Sequence, residues 1–136
     1  MVHPLIPYNT GVWMLLGAVD DEEFGRAVAV VPNAVSPGIA GLLVGSPFGN
    51  QSGVVRSGGA AIFRVDADPD SETYGLDPRP LFVFGGETGR SGGRLGEQVA
   101  AGMMGDAPVV IMGGYEASGV GLDQGAAYTA LLPAAD

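Results

Sequence analysis

Three blocks decide the fold: Phe24-Gly25-Arg26-Ala27-Val28-Ala29, Leu42-Leu43-Val44-Gly45-Ser46-Pro47 and Gly59-Ala60-Ala61-Ile62-Phe63. They return in the same order as Leu95-Gly96-Glu97-Gln98-Val99-Ala100, Val110-Ile111-Met112-Gly113-Gly114 and Gly125-Ala126-Ala127-Tyr128-Thr129. Gly25 maps to Gly96 at an offset of 71, Gly45 to Gly113 at 68, and Gly59 to Gly125 at 66. An earlier pair, Trp13-Met14-Leu15-Leu16-Gly17 and Leu81-Phe82-Val83-Phe84-Gly85, also stands 68 apart. The drift falls between the blocks, where loops absorb insertions and deletions. Repetition at this period marks a repeat architecture, in which each unit is one supersecondary element that stacks on its neighbour.

Working outward from those blocks, eight short apolar segments cover 12–16, 27–31, 41–44, 60–65, 81–84, 98–101, 109–112 and 126–132. Each is rich in Val, Ile, Leu or aromatic residues and bounded by Gly, Pro, Asn or Asp, which reads as strand. No stretch holds a 3.6-residue apolar period over three turns, so the expected class is all-β. Eight strands in two copies give four per copy, and four-stranded antiparallel units with glycine at the turns describe propeller-type blades. The expected division is blade one over about 12–65, an acidic linker over 66–80, and blade two over 81–132. The linker holds three prolines, four Asp and one Glu.

The whole chain is 136 residues, one domain's worth. Its formal charge is −9, from six cations, all Arg, against 15 carboxylates. That balance argues against a nucleic-acid partner, whose phosphates need clustered Lys and Arg. It equally disfavours an anionic membrane surface. With no Cys, disulfides, thiolate metal sites and Cys nucleophiles fall away. No segment reaches the ~20 apolar residues that span a bilayer. The first 13 residues contain two prolines and no basic stretch, unlike a secretory leader.

The ordered blocks resemble the FG-GAP repeat of integrin alpha propellers and many bacterial surface proteins. Phe24-Gly25 stands at the "FG" position and Leu95-Gly96 replaces it in the second copy. Gly45-Ser46-Pro47 stands for "GAP", with Gly113-Gly114-Tyr115 as its second version. The resemblance covers two repeats, and it implies blades of a β-propeller. Two departures follow. The family's Asp-rich calcium loop between FG and GAP is lacking: 31–38 contains no carboxylate, and 102–108 contains only Asp106. Calcium takes six to eight oxygens, several of them carboxylates, so no cofactor is expected from these loops. Two blades also do not close a ring, since propellers need about four to eight. The ring is expected to be completed by further copies or by a partner chain.

Candidate site residues were weighed on their chemistry. Asp66, Asp68 and Asp70 alternate as at the start of a calcium loop, but Ser71 and Asp77 stand where that loop needs Gly and Glu. They are weak metal candidates beside an acidic-linker reading. The run Asp20-Asp21-Glu22-Glu23 reads as a solvated turn. Gly89-Arg90-Ser91-Gly92-Gly93 fits G-x-S-x-G, yet no helix follows and the single His is His3 in the N-terminal arm. Arg90 and Arg94 are better read as partner-binding residues, because the guanidinium pairs bidentately with carboxylates. Arg26, Arg56 and Arg64 are candidates for pairing between blades or subunits on the same ground. Phe48 and Tyr115, just after the glycine blocks, are the aromatic ligand candidates, whereas Trp13, Phe63, Phe82, Phe84 and Tyr128 read as core. Asn50-Gln51-Ser52 is a glycosylation sequon, with meaning only on an export route.

These readings converge on a non-enzymatic structural or adhesive module of an external assembly. The expected setting is a virion surface or spike, because no leader is visible, or otherwise a cell surface. The expected partners are itself or other propeller chains, and a surface glycan or receptor. The alternative is a lectin-like propeller binding carbohydrate or protein.

Overall fold

In the computed structural model the described residues are 2–4, 13–15, 17, 23–36, 39–47, 58–85, 95–114 and 126–133. They form an all-β structure with no helix. The strands are β1 (Val2–Pro4), β2 (Trp13–Leu15), β3 (Ala27–Ser36), β4 (Ile39–Ser46), β5 (Gly59–Asp66), β6 (Gly75–Gly85), β7 (Gln98–Met104), β8 (Ala107–Gly114) and β9 (Ala126–Leu131). Among the described residues they make a four-stranded antiparallel sheet, β3-β4-β5-β6, a three-stranded antiparallel sheet, β7-β8-β9, and a separate β1-β2 pair. The two larger sheets, here sheet one and sheet two, do not close into a barrel.

Each of the eight segments read from the sequence contains or lies within a strand; β1 is additional. Their grouping differs from two four-stranded blades in one respect. The 12–16 segment pairs with β1 and not with β3, while the 81–84 segment is the fourth strand of sheet one. The cause is local. The expected linker is mostly a hairpin, with a turn over 67–74 and β6 starting at Gly75. A short connection between antiparallel strands favours pairing of neighbours in sequence. Pro78 and Pro80, which lack a backbone donor, are tolerated because β6 is an edge strand and the ladder shifts register there. Sheet two accordingly has three described strands.

Directly paired residues share a face of the sheet. One line across sheet one runs Ala29–Leu43–Ile62–Phe82, and this face meets sheet two. Sheet two answers with Val99–Met112–Tyr128 and Ala101–Val110–Ala130. Val31, Leu43, Ile62 and Val110 are completely buried at the centre of this layer. β3 lies against β7, so the first strands of the two sheets are nearest neighbours.

The ladders refine the sequence alignment. Ser46 pairs with Gly59 in sheet one, and Gly114 pairs with Ala126 in sheet two. The structural counterpart of Gly59 is therefore Ala126, one residue beyond the Gly125 suggested by the blocks. A one-residue slip exchanges the two faces of a strand, so this correction decides which side chains of β9 are equivalent to those of β5.

Candidate functional site

Two places concentrate polar chemistry among the described residues: the turn between β5 and β6, and the joint between the sheets. The turn is organised by Asp66, the last residue of β5. One carboxylate oxygen accepts the Asp68 N–H at 3.1 Å, and the other accepts the Ser71 and Thr73 hydroxyls, each at 2.6 Å. Asp68 repeats the device on the Asp70 N–H at 2.9 Å. Carboxylates that bond to backbone N–H groups two residues on are a common way to fold a tight turn. Arg64 closes the loop from the strand, donating to the Thr73 carbonyl at 3.2 Å. It lies 3.8 Å from Asp66 and 3.7 Å from Asp77.

The hydroxyls of Ser71 and then Thr73, with the Asp68 N–H, pull the Asp66 carboxyl down to about 2, against the opposing effect of burial. Asp77 is likewise lowered to about 2, first by the side-chain hydrogen bond from Arg79 and then by the Arg79 N–H. The same bond raises Arg79. Hydrogen bonds to the charged form stabilise it. Of the metal candidates, Asp66 and Asp68 have lone pairs committed to the turn's own donors. Among the described residues no three His, Cys, Asp or Glu side chains come together as a metal-ligand group.

At the joint, the repeat shows as matched backbone geometry. Gly25 and Gly96 both have positive φ, 91° and 93°. The Gly25 N–H donates to the Gly45 carbonyl at 3.0 Å, and the Gly96 N–H to the Gly113 carbonyl at 3.1 Å. Gly25 thus ties to Gly45, and Gly96 to Gly113, within its own unit, through a backbone conformation that glycine adopts readily. Where the units meet, backbones touch: a Cβ on Gly45 would run into the Gly96 carbonyl, and one on Gly96 into the Gly59 carbonyl. Beside this contact Arg26 lies 3.2 Å from Glu97, its own repeat counterpart, and also pairs with Glu23. The second carboxylate oxygen of Glu97, Oε2, is buried without a hydrogen-bond partner among the described residues.

Of the residues singled out from the sequence, Arg26 does bridge the two sheets, while Arg64 serves its own hairpin. Phe63 is buried with Phe24 edge-on to it at 6.1 Å, and Phe82, Phe84 and Tyr128 pack against the core. Phe48, Tyr115, Arg56, Arg90 and Arg94 lie outside the described residues. Glu97 and the Gly45–Gly96 contact were not singled out. Their signal was present, since Glu97 is the repeat counterpart of Arg26 with opposite charge.

No protein-family model matches the chain, and no curated protein is similar to it.

Proposed function

We propose that the chain is a non-enzymatic structural module that works by assembling with further β-units of its own kind, as part of an external assembly such as a virion surface or cell-surface array. The observation that carries this reading is the repeat expressed in three dimensions: two sheets with the same FG-to-GAP glycine bond, joined by a close backbone contact. A repeat unit buries its faces only against neighbours, and Ile111, on the face of sheet two turned away from the core, remains 46% exposed. The blade-like reading is further supported by the order of the FG-GAP-like blocks.

The test is the native mass of the purified chain across a concentration series. A mass several times that of one 13.7 kDa chain is expected. A monomer at every concentration and salt would remove the proposal. For the external setting, fractionation of intact particles or cells should recover the chain in the particle or surface fraction.

A further inference from the structure

We infer that two copies of this chain pair face to face through the outer side of sheet two, about a two-fold axis, with Met104 of each copy entering a depression on the other. This rests on the assembly reading above and names its contact surface and its symmetry.

The surface follows from the ladders. Val99, Met112 and Tyr128 turn towards the core. Strand side chains alternate between faces, so the even-numbered residues of β7 and the odd-numbered residues of β8 and β9 form the opposite side. None of these is ionisable, and only Gln98 and Thr129 are polar. Met104 and Leu131 are 64% and 63% exposed there, and Ile111 is half-exposed. The corresponding side of sheet one is already covered at its centre, where Val44 and Phe63 are 2% and 6% exposed. Of the two sheets it is therefore sheet two that carries the open apolar face. A contiguous exposed apolar face marks a contact surface.

Two observations point to a second copy as its occupant. The first is charge. Each chain carries −9, so copies repel wherever carboxylates face one another. The outer side of sheet two brings no carboxylate to the contact, so here one acidic chain meets another without burying an unpaired charge.

The second is shape. Along β8 the face runs Ala107, Val109, Ile111, Gly113. The Ala107 end is raised by Met104, its ladder partner at the hairpin tip. The Gly113 end is hollow: the surface there forms a shallow depression of about 250 Å³, bordered by Ala100, Ile111 and Ala127. A two-fold axis lying across the strands, between Val109 and Ile111, turns each strand over its own copy in the opposite direction. It sets Val109 over Ile111 of the partner, and Met104 over the partner's hollow. A raised end and a hollow end on one face are the self-complementarity that an isologous contact needs. An unbranched, flexible Met suits an irregular gap. The sheets then stack one–two–two–one, and sheet two is covered on both sides. Three strands spaced by ~4.8 Å, with about seven residues at ~3.4 Å each, give roughly 300 Å² of face per copy. That is below the ~800 Å² per partner of a standard stable interface, so the pair is weak and dissociates on dilution.

Sedimentation of the full chain up to about 1 mM, the range of weak pairs, tests this. The wild type should approach at least twice 13.7 kDa. Met104→Asp, at the exposed hairpin tip, and Ile111→Arg each bring a charge into the contact twice. Each should weaken association about a hundredfold, tenfold per site, while thermal melts of dilute protein show both folded. Should Ile111→Arg not fold, Met104→Asp decides. An equal mixture of Ile111→Arg and Val109→Glu should associate far better than either alone, because the two-fold sets the introduced charges opposite each other. If the wild type associates and Met104→Asp associates equally well, or if the mixture does no better than its components, the pairing is wrong while the assembly reading stands. If the wild type is monomeric at every concentration, both fall; flotation of that monomer with neutral phosphatidylcholine vesicles would then assign the face to lipid.

Discussion

Leu43 and Ile111 hold the same place in the two repeats, and their truncation should have opposite weight. Leu43 lies between Ala29 and Ile62 at the centre of the layer between the sheets, with no exposure. Leu43→Ala removes buried carbons and leaves a cavity that flanking strands, fixed by their ladders, fill poorly. The expected loss is about 3–4 kcal/mol, within the usual range of about 2–5 for buried Leu→Ala. For a chain of this size that lowers the melting temperature by roughly 10–15 °C. Ile111 is 46% exposed in the single chain. About half its transfer term is already absent and no cavity forms, so Ile111→Ala should cost about 0.5–1 kcal/mol. The comparison is made by urea unfolding, followed by circular dichroism, at protein concentrations low enough that association does not contribute. Equal losses in the monomer would refute the reasoning, since they would mean that the outer face of sheet two is covered within one chain.

Gly25→Ala and Gly96→Ala form a second pair: both meet the positive-φ penalty of about 1–2 kcal/mol, but only Gly96→Ala also collides with the Gly59 carbonyl. Thermal melts of monomeric protein should rank Gly96→Ala clearly lower, and the reverse order would undo the joint as described. The pH dependence has a defined sign. The folded-state carboxyls of Asp66 and Asp77 lie at about 2, below the ordinary 3.8, so the unfolded chain binds more protons between those values. Their contribution is fully present above about pH 5 and is lost as pH falls towards 2; Asp66→Asn should flatten the decline in melting temperature over that window, and an unchanged slope would show the turn to be immaterial. Salt separates the forces of association. Each copy carries a charge of −9, so raising salt from about 0.05 to 0.5 M screens repulsion between copies and should strengthen a mainly apolar joint; weakening, read by sedimentation, would point to a joint held chiefly by ion pairs.

The strands were legible because 27–31, 41–44 and 60–65 are short, nearly continuous apolar runs, each bounded by turn-forming residues. β1 was not, since Val2-His3-Pro4 is too short to show a period and ends in proline. The phase of the repeat was hidden for a different reason. Self-alignment shows that 13–17 and 81–85 correspond, but not whether each opens its own sheet or edges the preceding one. The hairpin turn from Asp66 to Tyr74 decides that for β6. In β9 the run Gly125-Ala126-Ala127 matches Gly59-Ala60-Ala61 by small residues alone, which leaves the register open to a one-step slip. The alternating Asp66, Asp68 and Asp70 suggested cation ligands, yet Ser71 and Thr73 supply donors within the same turn, and local donors satisfy a carboxylate without a metal.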